Sequence, residues 1–182
     1  MNLLIPNSAA QDLPFAAGSS DINWYVAYTH PRHEKRVAQQ CAERDIHAFL
    51  PVYRSIRRWK DRKKELELPL FPGYCFVQMD LRNRVRLLQL PGVVDFVMFQ
   101  GKPAAVSAAE MDSLCRGVHG TGLQPHPYLK AGKRVRVQHG PMTGVEGVFV
   151  RWKDRVRIVI SITLIQRSVA VEVDEADIEV IG

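Results

Sequence analysis

The chain has 182 residues, of which 46% are hydrophobic, enough to build one ordinary domain or two small ones. Its 25 Lys and Arg against 19 Asp and Glu leave a net charge of +6, a balance that suits nucleic acid or another acidic partner. The apolar run Leu3 to Ile5 is too short for a signal or a membrane span, and Cys41, Cys75 and Cys115 lack CxxC spacing. A membrane protein, a disulfide frame and a cysteine metal site are therefore not expected, and the chain reads as cytoplasmic.

Residues 1–21 mix Asn, Ser, Ala, Gly and Pro without period and read as a disordered lead-in. Trp24 to Tyr28 is a short aromatic and β-branched strand, and Thr29 is placed to cap a helix with Pro31 in its first turn. Along that helix Val37, Ala38, Cys41, Ala42 and Ile46 recur at steps that make a buried stripe. The opposite face carries Arg32, Lys35, Arg36, Gln39, Glu43 and Arg44. Cations at a helix start oppose the macrodipole, a conflict that an external anion relieves.

Ala48 to Ile56 reads as a second strand. From Arg54 to Lys64 there follow seven basic residues and one acidic residue, among them Arg57, Arg58, Lys60, Arg62, Lys63 and Lys64. Such a run is either a solvated hairpin tip or a basic arm beside nucleic acid, with Trp59 available for stacking. Leu66, Leu68 and Leu70 alternate with Glu65, Glu67 and Pro69 on the way back. Pro72-Gly73 then sets a tight bend, and Tyr74 to Met79 runs extended, with Tyr74, Phe76 and Gln78 on one face and Cys75, Val77 and Met79 on the other. Arg84 to Leu90 is helix-compatible and stopped by Pro91-Gly92, and Val93 to Phe99 is the next strand. Ser107 opens a last helix, with Glu110 completing a capping box and Met111, Leu114 and Val118 facing inward. The order β-α-β-β-α-β-α over residues 22–118 suits an α+β sandwich, helices packed on a mainly antiparallel sheet.

Residues 119–129 are dense in Gly and Pro and read as a linker. Beyond it, residues 130–182 show strands at Arg134 to Val137, Val145 to Trp152, Val156 to Ile162, Val169 to Val173 and Ile178 to Ile181. About five short strands in so few residues fit a small closed barrel.

Two groups of motifs carry a resemblance. Lys133-Arg134-Val135-Arg136-Val137, with Gly140-Pro141, Gly144 and Gly147 behind it, resembles the KOW motif of small SH3-like barrels. Trp24-Tyr25-Val26, the basic hairpin, Pro69 to Val77 and Pro91 to Val97 are together similar to the amino-terminal (NGN) domain of the NusG family. The resemblance covers residues 22–181 and implies a transcription elongation factor, cytoplasmic, without cofactor and monomeric. Its implied partners are RNA polymerase and the non-template DNA strand.

By that resemblance, Val26, Tyr28, Phe71, Tyr74 and Phe76 match the apolar cavity that docks on the polymerase β′ clamp helices. Arg84, Val85 and Arg86 fall on the side of the β-subunit gate loop. His30, His33, Lys35, Arg36 and Gln40 match the surface toward non-template DNA. In the barrel Met142, Val145, Leu164 and Ile165 match the loops whose family partners are ribosomal protein NusE or the termination factor Rho. Met142 stands where an aromatic usually follows Gly-Pro, and Leu164-Ile165-Gln166-Arg167 replaces a loop with Gly before Arg. These departures disfavour Rho and point to a specialised antiterminating paralogue, of the RfaH or UpxY type, over the housekeeping factor.

The rival classes are weaker. The six histidines are scattered, and neither a nucleophile motif nor a phosphate-binding Gly loop occurs. His30 and His33 offer two metal ligands without a third. A ribosome-associated RNA-binding protein would explain the charge and the barrel but leaves the aromatic strand as core.

Overall fold

The computed structural model describes residues 22–58, 63–152 and 155–181, with the backbone alone at residues 57, 58, 63 and 152. The expected lead-in, the hairpin tip Trp59 to Arg62 and the Lys153-Asp154 turn lie outside the described residues. The chain falls into two compact units, one of residues 22–52 with Pro72–Ala105, the other of Tyr53–Phe71 with residues 106–181.

In the first unit β1 (Ile22–Thr29), α1 (Glu34–Ala42), β2 (His47–Phe49), β5 (Tyr74–Asp80), α2 (Arg84–Leu88) and β6 (Val93–Phe96) build an antiparallel sheet in the order β2-β5-β1-β6 with helices. Between β2 and β5 the chain runs through β3 (Val52–Arg58) and β4 (Lys63–Pro69). Tyr25 pairs with Val77, Val26 with Phe76 and Ala27 with Cys75. Alternation therefore sorts the side chains. Tyr25, Ala27, Cys75, Val77 and Met79 join Val37, Ala38 and Cys41 of α1, Leu87 of α2 and Phe96 in one buried core. Trp24, Val26, Tyr28, Tyr74, Phe76 and Gln78 point to the other face.

Several expectations are corrected here. Thr29 caps no helix: it continues β1 opposite Val93, and its buried hydroxyl has no partner among the described residues. Helix α1 starts at Glu34, with His33 at its N-cap making no side-chain cap bond. Ala42 is exposed rather than part of the stripe. The strand expected from Ala48 to Ile56 breaks at Leu50-Pro51 into β2 and β3, because Pro51 has no N–H to give a ladder. The strand expected to Phe99 ends at Phe96. There β7 (Met98–Phe99) turns back on β8 (Lys102–Pro103) through Gln100 and Gly101, both with left-handed φ, as a two-residue hairpin requires.

In the second unit β3 and β4 pair as a hairpin, with Arg54 and Glu65 3.3 Å apart. After α3 (Ala108–Gly117) come β9 (Thr121–His126), β10 (Arg134–Val137), β11 (Glu146–Trp152), β12 (Arg155–Ile162), β13 (Arg167–Val173) and β14 (Ile178–Val180). They form one antiparallel ladder in the order β14-β10-β11-β12-β13-β9. Strand β9 falls within the stretch read as a linker. At the edge of the sheet Pro125, opposite Val169, lacks a donor without breaking an interior ladder.

Helix α3 packs on this sheet through buried Met111 and Leu114 and through Gly117, which lies against Ile160. Ser113 Oγ accepts the Glu146 N–H at 3.3 Å, and Arg116 donates to the Thr143 carbonyl at 3.0 Å. The expected capping box is absent. Ser107 makes no cap bond, and the Glu110 carboxylate accepts the Thr163 N–H at 3.3 Å instead.

Candidate functional site

The sheet face away from α1 carries a row of rings. Tyr28 and Tyr74 are cross-strand partners with ring centroids 5.8 Å apart, Phe76 lies 6.4 Å from Phe49, and Phe49 lies 6.5 Å from Trp24. Trp24 in turn meets His47 at 5.2 Å, and His47 Nδ1 lies 2.9 Å from Gln78 Oε1. Trp24, known only as part of a motif, and Phe49 were not among the expected site residues, although the alternation of β1 and the pairing of β2 with β5 place them in this row. The row is not uniformly open: Tyr28 is 45% exposed, whereas Val26 and Phe76 are at 0%. Val26 and Phe76 face each other mid-ladder, with Phe49 beside them. Phe71, at 1%, is buried as well. Of the five residues expected at an open cavity, Tyr28 and Tyr74 offer surface in this structure.

A second surface surrounds the start of α1. Two Pro-Gly turns hold the loop that leads into it: the Thr29 N–H donates to the Gly73 carbonyl at 2.8 Å and the His30 N–H to the Gly92 carbonyl at 2.9 Å. His30 and His33 meet edge to face at 5.9 Å, and His33 packs on Gly92, whose φ of +103° suits glycine. Lys35 and Arg36 are exposed. The Gln40 amide, with its nitrogen toward the Pro91 carbonyl (3.3 Å) and its oxygen toward Arg36 Nε (3.0 Å), ties the helix to the second turn. His30, His33, Lys35 and Arg36 stand at the start of α1, and Gln40 lies in its last turn, one turn beyond Arg36.

Composition also obscures Glu34, an acid in the first turn of a helix that reads as basic. It is buried, and its carboxylate accepts the Gly73 N–H at 2.7 Å. A negative charge there favours the helix dipole that Lys35 and Arg36 oppose.

The family described as transcription termination factor nusG matches residues 22–115, more than half of the chain. The chain belongs to the NusG family. Its fold and its relatives agree with that. The transcription termination/antitermination protein NusG of Pseudomonas aeruginosa is 28% identical, over 86% of this chain and 97% of its own. The protein of the same description from Escherichia coli K12 is 26% identical, over 86% and 94%. A solved structure described as a domain interaction in Thermotoga maritima NusG shares the fold, with a TM-score of 0.53 at 21% identity, covering 88% of this chain and 98% of that one.

The remaining positions singled out by the NusG resemblance differ in exposure. Met142, Val145 and Ile165 are buried and Leu164 is half-buried. Met142 lies with Val171 against Gly120, too close for a side chain at that glycine. Arg84 and Val85 are exposed, while the Arg86 guanidinium donates to the Arg44 carbonyl and so closes the end of α1. In the basic hairpin Lys64 is exposed, but Lys60 and Arg62 lie outside the described residues, as do the side chains of Arg57, Arg58 and Lys63.

Burial pushes the Cys41 thiol up to about 12, Cys115 to about 11 and Cys75 higher still, so all three stay protonated and unreactive. Among the described residues no three His, Cys, Asp or Glu side chains gather for a metal, and no helix is long and apolar enough to cross a membrane.

Proposed function

We propose that this NusG-family protein binds RNA polymerase at the β′ clamp helices through the exposed edge of its aromatic sheet face and promotes processive, antiterminated elongation. The observation that carries this reading is the Tyr28–Tyr74 ring pair, standing open on the face opposite the helix-backed core. Aromatic groups with one side in a core and the other in water are the anchors that dominate interface energy. The α1 surface, with His30, His33, Lys35 and Arg36 at its start and Gln40 further along, then faces the non-template DNA strand, and Arg84 and Val85 face the gate loop.

The test is binding of the full chain to core polymerase. Tyr28→Ala with Tyr74→Ala is expected to weaken it at least tenfold, with the thermal melt showing a folded chain. Wild-type affinity in that variant overturns the reading. Phe76 is unsuitable for the test, because its burial makes any polar substitution a stability defect.

Within the family, Met142 after Gly-Pro and the Leu164 to Arg167 loop favour a specialised factor serving particular operons, with NusE as the candidate KOW partner and Rho disfavoured. Stimulation of termination on a Rho-dependent template refutes that assignment in favour of a housekeeping role.

A further inference from the structure

Gly73 is held at both of its polar groups. Its carbonyl accepts from the Thr29 N–H at the end of β1, and its N–H donates to Glu34 in the first turn of α1. With φ at +84°, Gly73 occupies a conformation that other residues rarely adopt, directly before β5. Glu34 is 4% exposed, and among the described residues its hydrogen-bond donor is this neutral amide, with no Lys or Arg in an ion pair with it. A buried carboxylate with so little compensation is a poor source of stability. Its geometric effect is larger. It fixes the end of α1 that carries Lys35 and Arg36 against the turn from which Tyr74 and the rest of β5 extend.

We propose that Glu34 is a positioning residue that couples the nucleic-acid surface at the start of α1 to the polymerase-binding strand. This rests on the function proposed above. Without the Glu34–Gly73 link, β5 keeps its place through its ladder with β1 and β2, and its aromatic face stays intact. The first turn of α1 loses its tie to that strand, and its cations no longer stand in register with DNA held on the same polymerase.

The experiment compares the full-length chain with Glu34→Ala, Glu34→Gln and Arg36→Ala. Each is titrated against core polymerase alone and against polymerase assembled on an open DNA bubble. Glu34→Ala is expected to bind core polymerase within twofold of the parent but to lose about tenfold of the affinity gained from the bubble, as Arg36→Ala does. Glu34→Gln keeps an oxygen for the Gly73 N–H and is expected to restore that gain. If Glu34→Ala melts below the assay temperature, Glu34→Asp, one methylene too short to keep the bond, takes its place with the same expectation. The coupling is overturned if the alanine or aspartate variant keeps the full gain, if the glutamine variant fails to restore it, or if core binding falls equally. If the parent chain does not bind core polymerase, or gains nothing from the bubble, the proposed function itself fails and takes this inference with it.

Discussion

A Cβ built on Gly147 of β11 would stand 2.6 Å from the backbone carbonyl oxygen of Val159, on the neighbouring strand. A carbonyl fixed in a ladder cannot retreat as a side-chain end can. Gly147→Ala is therefore expected to destabilise the second unit by about 1–3 kcal/mol, and adding Ile158→Val should not rescue it. A urea melt reads the difference; unchanged stability would refute the close approach.

Leu114 is fully buried where α3 meets the sheet, whereas Arg116 is a half-exposed surface cation paired with Asp112 four residues earlier. Leu114→Ala should cost about 2–5 kcal/mol. The Arg116–Asp112 pair should show a coupling of under about 1 kcal/mol in a double-mutant cycle. The reverse order in denaturant titrations would mean that α3 is held by charge rather than by packing.

At the second Pro-Gly turn, a Cβ on Gly92 would approach His33 Cβ to 3.0 Å while φ stays at +103°. Gly92→Ala should displace the His33 ring from His30, visible as shifted imidazole resonances of both histidines, and cost about 1–3 kcal/mol of strain. Unmoved resonances would count against the packing described.

Replacing Lys35 and Arg36 with alanine should leave affinity for DNA-free polymerase unchanged. It should also flatten the salt dependence of bubble binding by about 0.7 in log–log slope for each lost contact to single-stranded phosphate. An unchanged slope removes these residues from the DNA surface.

Across β12 and β13 the Arg157 guanidinium, donating at 2.9 Å, holds the Glu172 carboxyl below its ordinary value, and Arg155 assists at 2.6 Å. A carboxyl lowered in the folded state contributes stability above its unfolded value of 4.5, lost as the pH falls through the lower folded value. Glu172→Gln should thus melt earlier than the parent at neutral pH, and the two melts should converge as the pH falls below the lowered folded value. A deficit independent of pH would show that packing, not charge, is at work.

Apart from β9, the strands beyond residue 130 were legible to within about two residues, because Arg134 to Val137 alternates strictly between a wet and a dry face and Val156 to Ile162 is rich in β-branched residues. The two faces of β5 were legible by alternation as well. The start of α1 was not: Thr29 is a good cap residue, yet ladder pairing kept it extended. Ser107 does stand at the N-cap of α3, but Thr163 draws Glu110 away from the expected capping box. The aromatic face was legible as a face but not in its burial. Period 2 tells that Val26 and Tyr28 point the same way, not that one is covered and the other open. Glu34 was hidden because a basic stretch masks the single acid whose partner lies 39 positions on.

Strand β9 alters the reach of the chain. Free, residues 119–129 would be an 11-residue flexible tether with a root-mean-square span of about 17–20 Å. Zipped to β13, that tether shrinks to the three residues between Gly117 and Thr121, so α3 stays beside the sheet at a local concentration no second molecule could match. The length of free chain between α3 and its sheet is therefore set by the pairing of β9 with β13 rather than by the Gly and Pro content of the stretch.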